Sequence, residues 1–560
     1  MPCVSRFVAA VLLFCMQSMA FADETKPLAA PELAASDQLY RAGKFAEAEA
    51  GYQALLKIDS KLVPGHVGLV RAMLRQQKID EALDAVNDAL AAQPNSAGLL
   101  AAKGDVLFRR AEMADAETSY LAAKKLDPRE VRAYLGLARL YRSYSLYLKA
   151  YDQLRIAREI APNDIEVQRA WLSMLPRKER LAAMEAYLGG PHPDDEEETK
   201  WMKEVVEFLK ATADKPIHAC RLVSKVERTE TKLETLYGAD GHRMRGIGLS
   251  VKLNDRNLHL LLDTGAGGIM VSNKVAEKAK MTRIATAHYG GIGDKGLQSG
   301  YTAVADHIRI GELEFQDCVV AVSEKDLVAD EDGLIGADVL GAYLIDIDLP
   351  GMRLKLSPLP KRPEDTVAPK SLNSEGDEQA NAEQKDDSVN QQVSKEEKSP
   401  PPISKPIQRL PKDRYIAPEM ADWTRVFRFS HSILVPTSVN DSKPVLFGLD
   451  TGAFANILSV RAARQVGKVS ADDSLRVRGL NGEVKKVYSS DKATLRFGNL
   501  RQPTLGMVTL DLSNLSRHTG TEVSGFLGFA MLRVLEVELD YRDGLVDFKY
   551  DPKRVPLQWR

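Results

Sequence analysis

Leu262-Asp263-Thr264-Gly265-Ala266 and Leu449-Asp450-Thr451-Gly452-Ala453 are one pentapeptide written twice, 187 residues apart. Leu260-Leu261 leads into the first copy and Leu446-Phe447 into the second, while Ile269-Met270-Val271 and Ile457-Leu458 follow them. An apolar run that stops at such a motif predicts a strand carrying an aspartate at its end, held by a Thr-Gly turn. Two copies predict two related β units in one chain.

The surroundings repeat in the same order. Before Asp263, Val251-Lys252-Leu253 and Leu258-His259-Leu260 flank Asn254-Asp255-Arg256-Asn257, a hairpin turn. Each motif is followed by a short predicted helix, over 274–279 or 460–466. Next comes a glycine-bearing loop, Tyr289-Gly290-Gly291-Ile292-Gly293 or Arg478-Gly479-Leu480-Asn481-Gly482. An apolar-Gly turn (Ile310-Gly311 or Phe497-Gly498) precedes two apolar residues and a glycine, Leu334-Ile335-Gly336 or Phe526-Leu527-Gly528. Closing hairpins carry Asp346, Asp348, Asp540 and Asp543, which are expected at exposed turns.

This order resembles the retropepsin-like aspartic protease fold over about 217–358 and 413–560, each long enough for one lobe. One Asp-Thr-Gly is weak on its own; two, each followed by the apolar-apolar-Gly element, are specific. The resemblance implies catalytic aspartates at Asp263 and Asp450. Two carboxylates a few ångströms apart cannot both ionise comfortably, so they share a proton and supply base and acid together. Thr264 and Thr451 would bond across the interface, and Gly265 and Gly452 would donate backbone N–H groups. Gly336 and Gly528 would let chain pass behind each aspartate. Gly290, Gly291, Gly293, Gly479 and Gly482 would belong to flaps closing over an extended peptide. A phosphate-cradling reading of 290–293 fails for want of a Gly-Lys-Ser/Thr ending.

The N-terminal third has its own period. Pro94, Pro128 and Pro162 are spaced by 34 residues, and small residues keep the register at Ala82, Ala116 and Ala150 and at Ala89, Ala123 and Ala157. Bulky Val86, Tyr120 and Leu154 fall between them, and Gly104 and Ala138 take the close-contact position. The pattern resembles four tetratricopeptide repeats over 29–162, followed by a helical extension over 163–216. Such arrays imply a protein partner on the concave face. Within the extension, His192-Pro193 and the acidic run 194–198 are expected to form a solvated loop capping the next helix.

Arg6, the apolar run 7–16 and Ala20-Phe21-Ala22 predict an export signal over 1–22, hence a periplasmic or extracellular bacterial protein. No segment reaches the ~20 apolar residues of a membrane span. Residues 359–412 are rich in Lys, Glu, Asp, Ser, Gln and Pro, and are expected to be a disordered linker. The mature chain retains Cys220 and Cys318, as a disulfide or as two buried thiols. Basic and acidic residues number 76 and 78, without the basic excess a sequence-independent nucleic-acid binder needs. No zinc-spaced Cys/His cluster exists, so no metal or cofactor is expected. The fold class is therefore multidomain, an all-α repeat solenoid followed by two all-β lobes.

The leading expectation is an exported aspartic endopeptidase whose repeats recruit a substrate or partner. The alternatives are a non-catalytic scaffold gripping peptides, and an autoprocessing protease whose lobes pair between chains.

Overall fold

Helices pair through the N-terminal third: α1 (Ala29–Arg41) with α2 (Phe45–Ile58), α3 (Val63–Arg75) with α4 (Ile79–Ala92), α5 (Ala97–Arg109) with α6 (Met113–Leu126), and α7 (Val131–Ser143) with α8 (Tyr147–Ile160). This computed structural model describes residues 29–213, 220–237, 244–325, 332–363, 412–504 and 506–555. The expected export signal and residues 364–411 of the expected linker lie outside them.

Large and small residues interlock between the helices. The Tyr120 ring is fully buried and lies against Gly104, where a Cβ would sit 2.5 Å from Cε1, and against Gly136 of the following unit. One unit on, Ala138 packs with Leu154. Gly43, Gln77, Ala111 and Ser145 all adopt positive φ (58–73°) in the turn between paired helices. The turn geometry thus repeats every 34 residues although only the first position is glycine, the residue that takes it without strain. Each repeat proline follows the end of its second helix, which it cannot continue.

The extension supplies α9 (Ile165–Leu172), α10 (Arg177–Leu188) and α11 (Glu196–Ala211). Asp195 caps α11 in a capping box with Glu198, as the acidic run suggested. That run is not a solvated loop, however. The Asp194 side chain is 2% exposed and bonds Arg169 of α9 and Tyr187 of α10, because the extension's own helices enclose it.

The two β lobes share one topology. In lobe 1 the strand Arg256–Asp263 pairs antiparallel with Met244–Leu253 and parallel with Gly333–Gly336, which also pairs with Ile269–Ser272. In lobe 2 Val445–Asp450 pairs likewise with Ser432–Val439 and Gly525–Gly528, and the latter with Ile457–Ser459. A hydrogen-bonded neighbour on each side places the aspartate-bearing strand in the interior of its sheet.

The closing hairpins join the lobes. Tyr343–Asp348 runs antiparallel to Leu535–Asp540, with Ile345 opposite Leu539 and Ile347 opposite Val537. These four side chains are essentially buried, so one core runs through both lobes. Asp346 faces Glu538, its own counterpart in the other lobe, so a pseudo-twofold axis passes between them. The expectation that Asp346, Asp348, Asp540 and Asp543 are exposed turn residues is wrong: Asp346, Asp348 and Asp540 lie in the strands of this seam, and Asp543, which does sit in a turn, is covered by Arg362 and Arg542. Asp348, Asp540 and Asp543 are buried and Asp346 is half-buried beside Lys355, at 3.0 Å. Asp543 pairs with Arg362 at 2.5 Å, so the first residues of the expected linker are packed rather than loose.

The array rests on lobe 2. Phe108 and Tyr144 pack against Phe429 and Phe427, with ring centroids 6.1 and 5.3 Å apart. Thr521 donates its hydroxyl to the Phe108 carbonyl (2.6 Å), and the Glu522 amide bonds the Arg109 carbonyl (2.9 Å). No helix among the described residues is long and apolar enough to cross a membrane.

Candidate active site

Each aspartate ends an interior strand, and the turn that follows folds over its carboxylate. Asp263 Oδ1 accepts from the Gly265 and Ala266 amides at 2.8 and 3.1 Å. Asp450 Oδ1 accepts from Gly452 and Ala453 at 2.9 and 2.8 Å. With one oxygen of each carboxyl committed to its own turn, each carboxyl also lies against the glycine of the other lobe's turn, Asp450 beside Gly265 and Asp263 beside Gly452.

The threonines lock the pair. Thr264 Oγ1 accepts from the Thr451 amide (3.0 Å) and donates to the Leu449 carbonyl (2.9 Å). Thr451 Oγ1 accepts from the Thr264 amide (3.1 Å) and donates to the Leu262 carbonyl (2.6 Å). Both are 1% exposed, so each hydroxyl satisfies a donor and an acceptor that water cannot reach. Glycine follows each threonine for a steric reason. A Cβ on Gly265 would sit 2.8 Å from the Asp450 carboxyl carbon, and one on Gly452 would collide with Asp263.

Burial raises the Asp263 pKa well above the usual carboxylate range, and the charge of Asp450 raises it further. Burial also raises that of Asp450, against the amide bonds of its turn. A closely placed, partly desolvated pair of this kind holds on to one proton where isolated carboxylates have lost theirs.

Gly336 and Gly528 are the register partners of Asp263 and Asp450. A Cβ on Gly336 would lie 2.5 Å from the Ala266 carbonyl oxygen, and one on Gly528 would lie 3.0 Å from that of Ala453. They therefore let the strand pass directly behind each acid-bearing turn.

The glycine-bearing loops meet each other. The Asn481 amide bonds the Ile292 carbonyl (3.0 Å), and the Lys295 amide bonds the Asn481 carbonyl (3.0 Å). Gly291 lies against Leu480, Gly479 against the Ile292 backbone, and Gly293 (φ 134°) against the Asn481 backbone. Gly482 (φ 89°) faces the Lys295 side chain. Gly290 makes only ordinary contact, 3.4 Å from Leu297.

Three supporting residues escaped the sequence reading. Asp338 accepts from the Gly268 amide (2.9 and 3.1 Å) and steadies the first turn. In lobe 2 that task falls to Asn456, whose Oδ1 accepts from the Gly528 amide (2.8 Å). A polar residue inside each apolar stretch was the available signal. His431 of lobe 2 packs on Gly267 of lobe 1, where a Cβ would sit 2.6 Å from the imidazole Cγ. Burial lowers its pKa, against the charge of Asp338. Nothing near His431 in the sequence marks a contact made between lobes.

The aspartyl protease family model matches residues 249–339 and 435–530, one segment in each lobe. Both lobes are aspartyl protease-like. A tetratricopeptide repeat model matches residues 39–106. Similar solved structures include a thermophilic tetratricopeptide repeat protein of Thermus thermophilus, 21% identical, covering 31% of this chain and 97% of that one, with TM-score 0.25. Another is a tetratricopeptide repeat protein from Parabacteroides merdae, 16% identical, covering 33% and 73%, with TM-score 0.23. No curated protein matches the chain. In the protease-like lobes the matched segments contain both acid-bearing turns and both Gly336 and Gly528. Cys220 and Cys318 form a disulfide within the first lobe.

Proposed function

We propose that the chain is an exported aspartic-type endopeptidase acting through Asp263 and Asp450. The observation that carries this reading is the pair of half-buried carboxyls, each set against the glycine of the other lobe's turn, held together by reciprocal threonine bonds. A water between them loses its proton to the ionised carboxylate as its oxygen attacks the scissile carbonyl carbon. The protonated partner gives its proton to the carbonyl oxygen, yielding a tetrahedral diol. The proton taken from water then passes to the leaving amine as the C–N bond breaks, while one diol hydroxyl gives its proton to the other carboxylate and becomes the carbonyl of the new acid, which restores one shared proton. The interlocked loops at 289–293 and 478–482 act as flaps and must part for a peptide to enter. The repeats recruit a protein partner or substrate. The disulfide supports export, since such bonds persist in oxidising compartments.

The test is cleavage of a denatured protein by the purified chain across acidic to neutral pH, with and without pepstatin. Cleavage by the parent and none by Asp263→Asn or Asp450→Asn is expected. Intact substrate with the parent at every pH sinks the reading.

A further inference from the structure

The first helices of successive repeat units turn a row of arginines toward one another. Glu166 of α9 accepts from Arg71 of α3 (2.6 Å), Arg132 of α7 (2.8 Å) and Tyr40 of α1 (3.2 Å). Asp105 of α5 accepts from Arg132 and Arg139, both at 2.7 Å. The array is thus curled tightly enough for its first and ninth helices to touch. Two carboxylates cannot balance this many guanidinium groups. Two more meet the acidic run that leads into α11: Arg75 pairs with Glu198 (2.5 Å) and Arg169 with Asp194 (2.5 Å). From lobe 2, Arg517 closes over the same run, reaching Asp195 (3.0 Å) and Glu197 (2.7 Å).

Arg109 lies amid this cluster and bonds Gln77 rather than a carboxylate, and its buried Nε has no hydrogen-bond partner. Burial, with Arg139, Arg75 and Arg517 around it, pushes its pKa down to about 10. The groove therefore has capacity for more negative charge than it holds.

The run is also mechanically connected. It opens α11, whose Glu204 bonds the His288 amide (3.1 Å) and imidazole Nδ1 (2.5 Å). His288 lies on the strand Thr282–Tyr289, which leads into the loop at 289–293.

We propose that the concave face of the repeat array is a binding groove for an acidic peptide segment of a partner protein, occupied in cis by residues 194–198. A partner segment carrying several carboxylates displaces the run, frees α11 from the groove, and loosens its hold on the Thr282–Tyr289 strand. Charge complementarity selects the partner chemistry, because the groove's own occupant is a string of Asp and Glu. The short tether keeps the cis segment at high effective concentration, so only a strongly acidic or abundant segment competes. Nothing here requires the lobes to cleave peptides.

The probe is a fluorescein-labelled peptide with the sequence of residues 193–199, and a control in which every Asp and Glu is amidated. Glu198→Gln keeps an oxygen for the capping box but removes the charge that Arg75 holds. The full-length variant should bind the acidic peptide about tenfold more tightly than the parent. Adding Arg75→Gln should cancel that gain, and the amidated peptide should not bind. Equal affinity for parent and variant, indifference to Arg75→Gln, or equal binding of the amidated control would overturn the proposal. Hydrogen exchange on the unaltered parent needs no variant to fold. Saturating acidic peptide should speed exchange over Glu196–Ala211 and Thr282–Tyr289, and unchanged exchange in both would refute cis occupancy.

Discussion

The two lobes present the same pair of acid-bearing turns, yet hold them with different materials. Lobe 1 follows its motif with Gly267-Gly268 and leaves room for His431 of the other lobe. Lobe 2 follows its motif with Phe454-Ala455, and the Phe454 ring is 46% exposed and 6.4 Å from that of Phe529. Lobe 1 steadies its turn with a carboxylate, Asp338, and lobe 2 with an amide, Asn456. Lobe 1 has a disulfide; the described residues of lobe 2 contain no cysteine. Chemistry that needs two matched carboxyls constrains their immediate hydrogen bonds, while everything one layer out is free to differ. Such differences also make the lobes non-interchangeable, which favours their pairing within one chain.

The sharpest way to break the comparison is to remove one acid at a time. Asp263→Asn and Asp450→Asn should each lower kcat by a factor on the order of a thousand or more. A large loss in one lobe with a small loss in the other would end the case for a shared pair. The same variants carry a pH signature in stability. Both acids have folded pKa values raised above their unfolded ones. Their stabilisation is therefore present below the ordinary carboxylate range and is lost as pH rises through the folded values. Chemical denaturation should accordingly show Asp263→Asn gaining on the parent at neutral pH and not in acid.

The next largest effect belongs to the disulfide. Replacing Cys220 and Cys318 by serine should cost about 2–4 kcal/mol in urea unfolding. Hydrogen exchange should place the loss in lobe 1, and a uniform loss across both lobes would show that they unfold as one unit.

Smaller still is the contrast at the residue after the motif. Gly267→Ala forces a methyl into the His431 ring and should cost about 1–3 kcal/mol, whereas Phe454→Ala on its exposed side should cost under about 1 kcal/mol. Equal melting shifts would remove the claimed asymmetry.

The least effect is expected from Asn456→Asp. It puts a negative charge against Gly528, the register partner of Asp450, which disfavours loss of the shared proton. The alkaline limb of the pH–rate profile should move upward with little change in kcat at the optimum. An unmoved or lowered limb would show that Asp450 is insulated from this position.

Much of the architecture was legible because it is periodic. The 34-residue proline spacing and its small-residue register located the helix pairs, and the duplicated motif located both acid-bearing turns. Contacts between distant segments were not legible. Asp346, Asp348, Asp540 and Asp543 read as exposed turn residues because polar side chains near hairpins are usually solvated; the pairing of two hairpins encloses the first three, and Arg362, 181 residues away, covers the fourth. The acidic run at 194–198 was misread for a related reason, since two of its three arginine partners are distant in sequence, Arg75 lying 123 residues from Glu198 and Arg517 lying 322 from Asp195. His431 shows the same limit, with no local pattern to mark a contact made across a lobe boundary.

Asp346 and Glu538 lie on either side of the pseudo-twofold axis. In an assembly of two identical chains, a side chain at that place would be obliged to confront its own replica, so no choice of residue could set opposite charges face to face there. Covalent union of the halves lifts that obligation. Here one partner could become basic while the other stays acidic, giving the molecule a means, closed to any true homodimer, of telling its left half from its right.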